Sequence, residues 1–226
     1  MEIQHKLVMD LLRRLSAKGI LDHVLLVGSW CAHFYKEYFS KVEYHSLIRT
    51  RDIDFLLPVR FHMATPVDLE QLLSPLGFEV EFYGKGYMKL ESDDLAIEFL
   101  APEIGPSKEK PHPMPGLHLN AQPLRHMMML WRDPVEVSVE DIRLLLPHPA
   151  DYSLQKLVVS GKRRDAGKRA KDVQSASLVI DALLETGDAH SLRHAYKNLS
   201  KSEKTTVSRA LRLAGYKQLD IELSKK

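Results

Sequence analysis

The sequence predicts an α+β fold: a mixed β-sheet with flanking helices, followed by a C-terminal helical domain. Up to Pro147-His148-Pro149 the chain alternates short apolar runs with glycine and proline punctuation. From Ala150 onward the spacing of apolar residues becomes helical. Charge divides at the same place: residues 1–150 carry 16 Lys+Arg against 21 Asp+Glu, and residues 151–226 carry 16 against 9. An acidic half that clusters carboxylates beside a basic half fits cation binding in one and polyanion contact from the other. The domains expected are therefore 1–149 and 150–226.

In chain order, Leu7, Leu11, Leu12 and Leu15 recur at helical spacing over residues 3–18, with Gly19 as the stop. Val24-Leu25-Leu26-Val27 reads as a short buried strand that ends in a Gly28-Ser29 turn, and Trp30 to Phe39 reads as a helix. A strand over 52–57 follows, then a helix around Val67–Leu76 that stops at Gly77. Extended runs are expected at Phe78–Tyr83, Tyr87–Glu91 and Leu95–Leu100, the first two joined by a Gly84-Lys85-Gly86 hairpin turn. Many prolines between Pro102 and Pro123 predict an irregular surface loop or lid. Strands are expected again at Met127–Trp131, Val135–Val139 and Ile142–Leu146. Four helices complete the chain: Tyr152–Ser160, Lys168–Glu185, Ala189–Leu199 and Ser202–Ala214.

At 226 residues, with 44% apolar and 27% charged content, the composition is that of a globular protein, which sets disordered and fibrous classes aside. Cys31 is the single cysteine, so no internal disulfide can form. The start of the chain lacks the pattern of an export signal, and no apolar run approaches a membrane span. A cytoplasmic protein without membrane contact is the expectation.

The segment carrying chemistry is Arg49-Thr50-Arg51-Asp52-Ile53-Asp54-Phe55. In a strand Asp52 and Asp54 share one face about 6.6 Å apart, while Ile53 and Phe55 take the other. Paired carboxylates repel unless a cation sits between them, and a hard divalent ion with oxygen ligands supplies that need. Glu98 would be the third carboxylate if its strand lies beside 52–57. Gly28 and Ser29, where a strand turns into a helix, suit backbone and hydroxyl contact with phosphate. Two Mg²⁺ ions bridging the attacking and leaving oxygens of a phosphoryl group would use such a carboxylate set.

The order Gly28-Ser29, Asp52-Ile53-Asp54, Glu98 resembles the DNA polymerase β superfamily of nucleotidyltransferases, and more narrowly its minimal and abortive-infection-toxin branch. Lys156, Arg163, Arg164, Lys168, Lys171 and Asp172 are similar to the basic helical segment of that branch. The resemblance covers roughly residues 20–185. Two departures stand out: Glu98 replaces the family's usual Asp, and bulky Trp30, His33, Phe34 and Tyr35 follow the Gly-Ser turn. The resemblance implies a nucleotidyltransferase-like fold and transfer of a nucleoside monophosphate from an NTP such as ATP to an acceptor hydroxyl of RNA, tRNA, a protein or a small molecule. It implies Asp52, Asp54 and Glu98 as catalytic and Mg²⁺-binding residues, and Gly28, Ser29, Arg51, Lys156 and Lys168 as nucleotide-binding ones. The alternative is an inactive protein of the same fold that binds nucleotide or RNA, in a toxin–antitoxin or phage-defence pair. His190 and His194, four apart on a helix, are read as solvent-exposed, and Cys31 as a buried small residue.

Overall fold

The structure, a computed structural model, describes residues 2–46, 50–105 and 110–225. Arg49 and part of the expected lid, residues 106–109, lie outside the described residues. Helix α1 (Glu2–Ala17) buries Val8, Leu11, Leu12 and Leu15, and Gly19 ends it at φ +68°. Strand β1 (Leu25–Val27) is buried throughout, and α2 starts at Gly28 itself, running Gly28–Tyr38. Then come β2 (Asp52–Leu56), the short α3 (Leu69–Leu73) capped by Asp68, β3 (Glu79–Tyr83), β4 (Tyr87–Glu91) and β5 (Ala96–Pro102). The expected hairpin turn joins β3 to β4, with Lys85 and Gly86 both at positive φ.

The Pro102–Pro123 stretch is not simply irregular. It contains β6 (His112–Met114) and β7 (Leu119–Leu124); β7 pairs with β6 and, in parallel, with the end of β5. These ladders are only three pairs long and carry prolines, and the density of prolines hides them in the sequence. The expected strand at Met127–Trp131 is a 3₁₀ helix over Met128–Trp131. His126, at φ +64°, turns the chain just before it, and Trp131 Nε1 donates to the Leu57 carbonyl at 3.2 Å. β8 (Val135–Val139) and β9 (Ile142–Leu146) form a separate antiparallel ribbon.

The main sheet runs β1-β2-β5-β4-β3, with β2 and β5 parallel and the other neighbours on this path antiparallel. Val80, Leu90, Ile97 and Ile53 lie opposite one another across β3, β4, β5 and β2, forming one apolar row on the core face. The helical part comprises α4 (Pro149–Ser160), α5 (Ala166–Glu185), α6 (Ala189–Lys197), α7 (Lys201–Leu213) and α8 (Lys217–Ser224). α8 is not anticipated from the sequence, since its eight residues bury little beyond Leu219, Asp220 and Leu223. One hydrophobic cluster runs from α1 to α8, so the helices pack on the sheet unit through shared apolar side chains, among them Tyr152, Leu154 and Leu157 of α4. Among the described residues no helix is long and apolar enough to cross a membrane.

α7 opens with a reciprocal cap. Ser200 Oγ accepts from the Glu203 amide at 3.3 Å, and the Glu203 carboxylate accepts from the Ser200 amide at 2.9 Å. Ser200→Ala is expected to cost about 1 kcal/mol, read as a shift in the urea midpoint with an unchanged slope.

Candidate active site

Register places the carboxylates. Asp54 in β2 lies directly opposite Glu98 in β5, and Glu98 lies opposite Lys89 in β4. On the other side Asp54 faces Val27, the last residue of β1. Paired positions share a face, so Lys89, Glu98 and Asp54 form a row across three strands, with Asp52 one pleat away beside the small Ala96. Further along β2 and β5 the same face is closed over Leu56 and Leu100, both buried. The acids therefore sit at the open end of a face whose other end is dry.

Gly28 closes the site from the β1 side. Its φ is +72°, and a Cβ there would lie 2.1 Å from Asp54 Oδ2. Only a residue without a side chain lets the turn come this close to the carboxylate. Ser29 Oγ is 2.7 Å from Thr50 Oγ1, and Thr50 donates onward to the Asp52 carbonyl at 3.1 Å. The Ser29 proton thus goes to Thr50, and this hydroxyl chain ties the start of α2 to the start of β2. Tyr152 of α4 donates to the Gly28 carbonyl at 3.1 Å.

Asp54 retains some solvent exposure, but its carboxyl group is surrounded by protein. Burial first, then the charge of Glu98 and more weakly that of Asp52, push its pKa up to about 7, while Lys156 and Lys89 pull in the opposite direction. A group in this setting gains from any cation that can replace lost water.

The predicted residues divide by where the fold puts them. Asp52, Asp54, Glu98, Gly28 and Ser29 meet at the end of the β1–β2–β5 sheet. Lys156 acts electrostatically on Asp54 and also lies 3.3 Å from Asp172, which Arg163 contacts at 3.1 Å. Arg51 does not join them. Strand alternation turns it away from Asp52 and Asp54, and its guanidinium donates to the Ser92 and Asp93 carbonyls at 3.2 and 2.6 Å. Lys168 sits exposed on the first turn of α5, where its backbone amide is capped by Asp165 at 2.6 Å.

His190 and His194 are exposed and pair with Asp188 at 2.9 Å and Asp133 at 3.8 Å. Cys31 is fully buried, which raises its pKa to about 12 and leaves it a poor nucleophile.

Sequence reasoning missed Lys89 and Tyr152. Lys89 reads as one more polar residue of an alternating strand, and only the register reveals its partner. Tyr152 stands four residues before Lys156 on α4, a one-face spacing that could have linked the two.

Among the described residues no three Asp, Glu, His or Cys side chains are already arranged around a single ion position. The Glu98 carboxylate is instead engaged by Lys89 in an ion pair. The donor set still fits a hard divalent cation. It offers oxygen ligands only, crowded enough to hold Asp54 partly protonated near neutrality, with Gly28 leaving the space beside Asp54 clear.

Comparison with known proteins bears on the family and the fold. A family model described as nucleotidyltransferase matches residues 6–201. An antigenic nucleotidyltransferase-like protein from Paracoccidioides brasiliensis has a similar structure, with a TM-score of 0.54 at 14% identity over 99% of this chain and 93% of that one. The antibiotic-resistance factor ANT(2'')-Ia superposes with a TM-score of 0.50 at 14% identity, over 94% of this chain and 95% of its own. At such identities the likeness is one of fold. No curated protein matches the sequence.

Proposed function

Because the chain belongs to the nucleotidyltransferase family, we propose that it is a Mg²⁺-dependent enzyme that transfers a nucleoside monophosphate from an NTP to an acceptor hydroxyl and releases pyrophosphate. The observation that carries this reading is the row formed by Asp54 and Glu98, flanked by Asp52 and closed by Gly28. Asp52, Asp54 and Glu98 would hold the two Mg²⁺ ions. When bound, these neutralise phosphate charge and make the acceptor hydroxyl more acidic.

The chain's own residues supply the rest. The backbone at Gly28 and the Ser29 hydroxyl, at the start of α2, receive the β- and γ-phosphates. For this Ser29 redirects the proton it now gives to Thr50. The acceptor oxygen bonds to the α-phosphorus as the bond from that phosphorus to the α–β bridging oxygen breaks, and pyrophosphate leaves with that oxygen. Glu98 receives the proton lost by the acceptor. Lys156, set on the rigid α4 and steadied by Asp172, offers a cation to the triphosphate.

Placement in the abortive-infection-toxin branch, with an antitoxin partner, is a narrower proposal. Its support is that Lys156 on α4, Arg163 in the α4–α5 connection and Asp172 on α5 form one ion-pair cluster.

The test is label transfer from each α-labelled NTP with Mg²⁺ to cellular RNA, purified protein substrates and hydroxylated small molecules. Transfer to one acceptor class supports the reading. Nucleotide binding with no labelled acceptor in any class favours the binding-only alternative. Within that assay Lys156→Met is expected to raise KM for the nucleotide roughly tenfold, with a smaller change in kcat. An unchanged KM would remove Lys156 from the phosphate site.

A further inference from the structure

Lys89 has no part in the reaction as written, yet it stands in the row of carboxylates, directly opposite Glu98. Its ammonium pairs with Glu98 and lies 4.9 Å from the centre of the Tyr83 ring. Both partners are largely enclosed, the side chains being 24% and 18% exposed. Its charge also reaches Asp54 and Asp52. One ammonium thus compensates the same three carboxylates that a divalent cation would bridge, and it engages Glu98, the member needed to complete the ligand set. Glu81, across β3, is the next residue in the row and gives the displaced ammonium an alternative carboxylate on its other side.

We propose that Lys89 is a built-in competitor for the metal: it holds Glu98 away from divalent cations until the anionic oxygens of a bound triphosphate draw the ammonium off, so that metal and nucleotide load together. The inference rests on the function proposed above and deepens it, adding a positioning residue that makes ion binding conditional on substrate. Linkage makes the effect reciprocal: the factor by which bound nucleotide tightens metal binding is the factor by which bound metal tightens nucleotide binding. In the half-dry setting of this row, a single charge is worth far more than it would be in water.

The experiment titrates the full chain with Mn²⁺ alone, following free Mn²⁺ by its paramagnetic resonance signal, and repeats the titration with a non-hydrolysable NTP. Lys89→Met is expected to bind Mn²⁺ without nucleotide roughly tenfold more tightly than the unmodified protein, and to gain less on adding nucleotide. Lys89→Arg, which keeps the charge, should behave as the unmodified protein. In a Glu98→Gln background the Lys89→Met gain should disappear. Lys89→Gln serves as the neutral variant if the methionine form does not fold, with circular dichroism as the check. Equal or weaker Mn²⁺ binding by a folded neutral variant overturns the role of Lys89 and leaves the carboxylate site standing. Failure of every form to bind Mn²⁺ even with nucleotide overturns both.

Discussion

Asp54→Asn is expected to reduce nucleotidyl transfer by at least about a thousandfold, the scale seen when a charge-stabilising group of a polar transition state is removed, and at the same time to make the metal-free protein more stable. The two effects have one cause. Asp54 has a pKa of about 7 in the fold against 3.8 for an ordinary Asp, because burial and the neighbouring carboxylates oppose its ionisation. A raised acid pKa means that the folded state holds a proton the unfolded state has lost. Its contribution is absent below about pH 4, becomes increasingly destabilising as pH rises from 4 to 7, and is fully present above 7. Asparagine removes that charge with little change of shape. At pH 8, without divalent metal, the variant should gain on the order of 2 kcal/mol, and the gain should shrink as the pH falls toward 4. Thermal melts at pH 8 and pH 5, with and without Mg²⁺, are the measurement. Transfer that survives the substitution would remove Asp54 from the reaction, and equal melts at pH 8 would mean that the row stores no repulsion.

Gly28→Ala is the second large effect. The added methyl would meet Asp54 Oδ2 at 2.1 Å on a backbone held at φ +72°, so steric overlap and conformational strain combine. A loss of about 2–4 kcal/mol is expected, together with loss of transfer, because either the turn or the carboxylate must move. The two sources separate in a double-mutant cycle. In an Asp54→Gly background the overlap is gone and only the strain of the left-handed backbone remains, about 1 kcal/mol. A Gly28→Ala cost that is the same in both backgrounds would show that turn and carboxylate are uncoupled. Urea denaturation of the four proteins decides it.

Much of this site is legible in the order of residues alone. Alternation puts Asp52 and Asp54 on one face and Ile53 and Phe55 on the other, and the observed strand keeps that division. The same alternation argues against Arg51, which the structure engages on backbone carbonyls outside the row. What a linear pattern cannot supply is the pairing register. That Glu98 lies level with Asp54, and Lys89 level with Glu98, depends on how three strands slide past one another. The β6 and β7 ladders escape detection for a local reason: prolines break the apolar rhythm by which strands are recognised, and short ladders next to a sheet margin tolerate them. At Met127–Trp131 an apolar run of strand length folds as a tight helical turn, because a run that short has no period to distinguish the two.

Tyr152 and Lys156, one turn apart on α4, fasten respectively the carbonyl of the glycine bend and the electrostatic surroundings of Asp54. The helical portion is consequently one wall of the proposed active site. Expressing residues 1–148 and 149–226 as separate polypeptides would divide the proposed nucleotide site between them, and neither fragment is expected to hold a triphosphate until the two have reassociated.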